Sequence, residues 1–187
     1  MNDIELKIID AALKIFSSEG YRNATTKAIA DEAGVNESTL FRKFKNKENL
    51  FDSVIASNRS KVDKELDLLL SKNDNENPRK SLDFILNSIC KVMKNNYELL
   101  RILIHENSRI KYGTKIDMFS MIIVKHLQPF KYENDDINLE ILAVTIFSFF
   151  FVVHYKNINT NITETINMDE QIVYNHFKEY CARIIQI

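Results

Sequence analysis

Apolar residues recur at steps of three and four along almost the whole of this chain, and that period favours helix over strand throughout. Ile4, Ile8, Ile9, Ala12, Leu13 and Phe16 form the first such stripe. No alternating strand pattern persists, and only 3 Gly and 2 Pro interrupt the 187 residues. The first stripe closes at "SSEGY", where Gly20 suits a left-handed helix cap. Hydroxyl and amide side chains from Asn23 to Thr26 can start a second helix, Thr26 to about Ala33. Gly34 breaks it, and Asn36 can cap a third, Glu37 to about Phe44. Asn46, with Glu48 in the following turn, starts a long fourth helix lined by Leu50, Phe51, Val54, Ile55, Val62 and Leu66.

The polar run "SKNDNENP", residues 71–78, contains nothing to bury and marks a boundary. Beyond it the spacing predicts helices near 79–97, 98–109, 114–130, 137–156 and 168–186, separated by polar breaks at 131–138 and 157–167. The expected fold is all-α. An N-terminal three-helix helix-turn-helix domain over residues 2–62 precedes a C-terminal helical bundle over 63–187.

Charge narrows the function classes. The net charge is −1, which argues against a wholesale nucleic-acid coat or an acidic-substrate trap. Any polyanion site must be local. Cys90 and Cys181 lie far apart inside apolar segments, unlike a secreted disulfide framework. The opening "MNDIELKIID" is acidic and amphipathic, unlike a signal peptide. The most apolar run, Ile141 to Val153, has 13 residues and falls short of a bilayer core of about 30 Å. The expected setting is cytoplasmic, with no membrane partner. No metal or other cofactor is expected, since His105, His126, His154 and His176 lack ligand spacing.

The local basic site is "RKFKNK", residues 42–47, which holds Arg42, Lys43, Lys45 and Lys47 without an intervening acid. It follows two short helices joined by a glycine turn, the pattern of a helix-turn-helix. Ala30 sits where a larger side chain would wedge the helices apart, and Gly34 supplies the unusual turn angles. Ile29, Ala33, Val35, Leu40 and Phe44 can bury together against the first stripe. Asn36, Glu37, Ser38, Thr39, Arg42 and Lys43 then face outward, as a helix reading base edges requires. Thr26 and Lys27 at the start of the second helix, and Lys47 at the start of the fourth, would lie beside the duplex backbone. The bland alternative is a solvated basic turn.

The segment from Glu5 to Ile55 resembles the TetR family of bacterial transcriptional regulators. The resemblance is carried by Phe16, Gly20-Tyr21, Thr25-Thr26, Ile29-Ala30, Ala33-Gly34-Val35, Thr39-Leu40-Phe41, Phe44, Lys47-Glu48 and Leu50, about a quarter of the chain. Four positions depart from the family's usual residues. Phe41 stands where many members have a Tyr whose hydroxyl contacts phosphate, Arg42 and Lys43 where aromatic residues or His are common, and Ser38 where Gly is frequent. The resemblance keeps Phe41 in the expected DNA-contacting set. It also implies a homodimer on a near-palindromic operator, usually a repressor released by a small-molecule effector. Two half-sites about 34–36 Å apart, or a multiple, would suit such a dimer.

In the C-terminal half, residues 137–155 are apolar around most of the helix circumference. The last helix shows two ridges, Ile172, His176, Tyr180, Ile184 and Val173, Phe177, Cys181, Ile185. The resemblance assigns these two helices to a dimer interface, whereas the pattern alone allows ordinary intrachain burial. It also implies an apolar effector cavity, for which Met93, Tyr97, His105, Phe119 and Phe147 are candidates, although the same spacing serves plain core. A helical ligand-binding protein or small enzyme is the competing reading. It lacks a G-x-S-x-G elbow, a Gly-rich phosphate loop and paired carboxylates beside a base.

Overall fold

The computed structural model describes residues 2–74, 76–106, 115–131, 136–158 and 169–187. These residues are helical with no strand among them, as the spacing predicts. They fall into two compact units, divided on α4 (Lys47–Leu70) between Lys61 and Val62.

The first unit contains α1 (Asp3–Asn23), α2 (Thr26–Ala33), α3 (Glu37–Phe44) and the first part of α4. Ile8, Ile9, Ala12 and Phe16 from α1 meet Ile29, Ala30, Leu40, Phe44, Leu50, Phe51 and Val54 in one core, each 8% exposed or less. Two residues of the first stripe are exceptions: Leu13 is only partly covered, and Ile4, in the first turn, is 42% exposed. Ala33 and Val35, expected in the core, are only partly covered, since they sit at the edge of the turn.

α1 does not end at Gly20. That residue has φ 77° and ψ 163°, so its positive φ makes a kink, and the helix resumes through Asn23. α2 does end at its glycine. Gly34 is left-handed, Val35 N–H reaches the Ala30 carbonyl at 3.0 Å and Gly34 N–H reaches Asp31 at 3.1 Å, a complete Schellman closure.

The unit also contains α6 (Tyr97–His105), which the sequence pattern assigns to the C-terminal domain. Leu99, Leu100, Ile102 and Leu103 are buried, and α6 packs on α1. An apolar helix stripe specifies burial but not its partner, so the periodicity cannot distinguish the two assignments.

The second unit combines the last turns of α4 with α5 (Pro78–Asn95), α7 (Lys115–Lys131), α8 (Leu139–Ile158) and α9 (Glu170–Ile185). Pro78 opens α5, where its missing N–H costs nothing. Asp169 caps α9 by accepting from Gln171 and Ile172 N–H. α8 packs on α7 and α5, and α9 on α5. Phe149 stacks on Phe177 with centroids 3.7 Å apart, and Phe150 meets Phe177 edge to face. Arg79–Glu179 and Lys178–Asp83 ion pairs flank the α5–α9 seam. Of the two ridges on α9, Phe177, Cys181 and Ile185 are buried, whereas Ile172 and Tyr180 remain more than half exposed.

Candidate nucleic-acid interface

The α2–turn–α3 unit is built as the sequence pattern requires. Thr25 accepts from Ala28 N–H and starts α2. Ala30 is 1% exposed where the helices cross. A Cβ on Gly34 would meet nothing within 4 Å, so glycine is needed there for its backbone angle and not for space. Asn36 occupies the α3 N-cap position but its side chain makes no capping hydrogen bond, and it is exposed. Its backbone carbonyl instead accepts from Thr39 N–H at 2.8 Å.

With Leu40 and Phe44 turned into the core, α3 leaves Asn36, Ser38, Phe41 and Arg42 exposed and Thr39 half-buried. Phe41 offers an apolar ring at 43% exposure, suited to a sugar or thymine methyl rather than to a phosphate. Lys27 is exposed on α2. Among the described residues no ion pair or hydrogen bond holds the side chains of Lys27, Arg42 or Lys45, which leaves three cations available to a polyanion.

Four of the expected contact residues, Thr26, Glu37, Lys43 and Lys47, are engaged within the protein. Thr26 Oγ1 donates to Glu37 Oε1 at 2.5 Å, tying the start of α2 to the start of α3. Lys43 Nζ sits 3.0 Å from Glu5 Oε1, with both side chains about three-quarters covered. Glu5 also completes a capping box with Asn2 at the start of α1. The Lys43 hydrogen bond, helped by the Asn2 N–H, holds the Glu5 carboxyl below the usual carboxylate range.

Lys47 points away from solvent toward the end of α1. Its Nζ donates to the carbonyls of Tyr21 and Ala24, each at 2.8 Å, and to Arg22 at 3.5 Å. It also lies 4.6 Å from the centroid of the Tyr21 ring. The Tyr21 N–H, freed by the Gly20 kink, donates to Glu106 Oε1 at 2.9 Å. No sequence signal points to Glu106, which lies 85 residues from its partner.

Of the residues expected to line an effector cavity, four can be placed, and they are divided between the two units. Met93 and Phe147 are buried in the core of the second unit, whereas Tyr97 and His105 are exposed on α6 in the first unit. The Phe119 side chain lies outside the described residues. Crevices of about 340, 200 and 350 Å³ in the second unit are lined by other residues. The second of these carries Asn87, Cys90 and Tyr174, and Tyr174 donates to Asn87 Oδ1 at 2.9 Å. Helically spaced methionines and aromatics fill core before they line cavities, which accounts for Met93 and Phe147. Among the described residues no group of three His, Cys, Asp or Glu could hold a metal ion. No described helix is long and apolar enough to cross a membrane.

Comparison with known proteins agrees with this geometry. Residues 8–54 match the profile of bacterial regulatory proteins of the TetR family. Over 60 residues the chain is 42% identical to YvkB, an uncharacterised HTH-type transcriptional regulator of Bacillus subtilis, a stretch covering 32% of each protein. The alignment therefore spans about a third of that curated relative's length. The fold extends much further than this similarity. The fatty acid degradation regulator FadR from Bacillus halodurans superposes with a TM-score of 0.68 over 99% of this chain and 95% of that one, at 18% identity. AibR, solved in complex with isovaleryl coenzyme A and operator DNA, superposes with a TM-score of 0.68 over 95% and 97%, at 12% identity.

Proposed function

We propose, on the premise that the N-terminal domain of this chain belongs to the TetR family of bacterial regulatory proteins, that the protein is a sequence-specific DNA-binding transcriptional regulator and not an enzyme. The observation that carries this reading is the division of α3 into two faces. Leu40 and Phe44 are buried, while Ser38, Arg42 and the side chain of Asn36 face solvent, with Thr39 between them. A short helix anchored on one side and polar on the other can enter a major groove and exchange hydrogen bonds with base edges. Lys27 and Arg42 would neutralise or read the DNA beside it, Asn36 and Thr39 would reach its bases, and Phe41 would pack on its sugars.

One eight-residue helix buries too little surface for tight specific binding, so two copies acting on a near-palindromic operator suit the geometry. The exposed faces of α8 and α9 support a homodimer. Ile141 and Val152 on α8 are each 65% exposed, and Ile172 and Tyr180 on α9 are 57% and 53% exposed. Large apolar side chains repeated at helical spacing on two helices make a face suited to a second copy. Release by a small molecule would make the protein a repressor: an effector that binds one conformation better shifts the population away from the operator-competent one.

Selection of duplexes from a random pool, followed by gel shifts at moderate salt, tests the central reading. A palindromic winner bound far more tightly than random duplex is the expected result. Equal binding to both would overturn it.

A further inference from the structure

We infer that the two lysines flanking Asn46 divide tasks that the sequence pattern would give to Lys47 alone: Lys45 contacts DNA phosphate, and Lys47 is a positioning residue that locks the end of α1 to the start of α4. The first half rests on the DNA-binding reading above, and the second half stands without it.

Lys47 begins with its donors committed. An ammonium offers three hydrogens, and three carbonyls of Tyr21, Arg22 and Ala24 lie within 3.5 Å of Nζ. These carbonyls belong to the last turn of α1 and its cap residue Ala24, where helix carbonyls lack intrahelical partners and the helix dipole favours a cation. Drawing Lys47 out to a phosphate would leave them unpaired. The same residue covers the Tyr21 ring, which stacks on Phe16 and meets Phe51 edge to face. Tyr21 is thus held at its carbonyl by α4, at its N–H by Glu106 just past α6, and at its ring by the core. Since α4 follows directly on the turn that leaves α3, fixing its first residue to α1 fixes where the recognition helix ends.

Lys45 is placed in the opposite manner. Its φ of 67° and ψ of −46° lie in the region that side chains rarely adopt. Asn46 N–H closes a three-residue turn onto the Phe44 carbonyl at 2.8 Å, and Lys45 N–H makes the last α3 bond to Phe41 at 2.8 Å. Glycine would adopt this backbone without strain. The position instead carries a lysine, which is exposed and without a protein partner among the described residues. Arg42, three residues earlier in the chain, is also exposed. Two neighbouring cations, one of them on strained backbone, are unfavourable in the free protein and favourable against a polyanion.

Lys45→Gly and Lys47→Met separate the two roles, with thermal unfolding of the free protein and the salt dependence of operator affinity as readouts. Lys45→Gly keeps or raises Tm, by up to about 4 °C. It lowers the slope of log affinity against log salt by about two, one phosphate from each protomer. Lys47→Met lowers Tm by roughly 4–8 °C. Measured where the variant is still folded, its salt slope is that of wild type. A Lys47→Met variant with unchanged Tm and a reduced slope overturns the assignment, as does a Lys45→Gly variant whose slope is unchanged.

Lysine acetylation of the wild-type protein, mapped by mass spectrometry with and without operator, decides the matter should Lys47→Met not fold. Lys45 is expected to react freely and to be protected by DNA, and Lys47 to react slowly in both states. Fast reaction of Lys47 in the free protein, suppressed by DNA, contradicts its role as a clamp. If no duplex binds at all, the Lys45 role falls with the DNA-binding reading, while Tm and the acetylation rate of the free protein still decide Lys47.

Discussion

At the scale of single residues, the positions around α3 are held by short-range chemistry that substitution can address one contact at a time. Gly34 sits at φ 67° with open space around it, so Gly34→Ala carries the backbone penalty alone. A loss of about 1 kcal/mol in unfolding free energy is expected, read from denaturant midpoints at unchanged slope. Glu5 supplies a pH effect of definite sign. Its carboxyl is held below its ordinary value of 4.5 mainly by Lys43, so the pair's contribution is present above that pH. It is lost as pH falls through the lowered value. Glu5→Gln should therefore lower stability at pH 7, leave it nearly unchanged below the lowered value, and so flatten the acid limb by the same amount. Cys181 is inert for a related reason. Burial pushes its thiol up to about 12, leaving almost no thiolate at neutral pH. Ellman's reagent should label it only after unfolding; rapid labelling of native protein at Cys181 would contradict its placement.

At the scale of elements, the limits of α2 and α3 are legible in the sequence because local chemistry sets them. Thr25 caps one helix, Gly34 closes it, and the spacing of Leu40 and Phe44 fixes the buried face of the next. What local chemistry does not set was not legible. Lys43 and Lys47 both read as outward cations, yet their partners lie 38 residues away in Glu5 and 26 residues away in Tyr21. Gly20 reads as a helix stop, but the next three residues continue the helix beyond a kink whose freed N–H is met by Glu106. α6 is the largest such case, since its buried leucines show that it packs without showing that it packs on α1. Leu103, 1% exposed, tests this directly. Leu103→Ala should lower stability by about 2–5 kcal/mol. Hydrogen exchange should rise in α1 if the cavity opens against it, and unchanged protection throughout α1 would contradict the packing.

At the scale of the whole molecule, the second unit leaves a question the first does not. Its core was foreseeable from the apolar helices, but a cavity depends on where side chains fail to meet, and no periodicity encodes that. The exposed faces of α8 and α9 suggest what completes the fold. Tyr180→Glu, at a half-exposed position, should shift sedimentation from dimer to monomer with little loss of helical signal. A wild-type monomer at micromolar concentration would remove the basis for a two-half-site operator. What joins all three scales is the proposal that α3 offers Thr39 and Arg42 to a major groove. Fluorescence anisotropy on a selected palindrome and on a random duplex, at one moderate salt concentration, measures this most directly. The wild-type protein should favour the palindrome by about a thousandfold or more. Arg42→Ala should reduce that ratio by roughly 5- to 150-fold for each half-site, with the loss concentrated at one base pair of each. A wild-type ratio near one, or an Arg42→Ala variant that retains the full preference at every base pair, would contradict it.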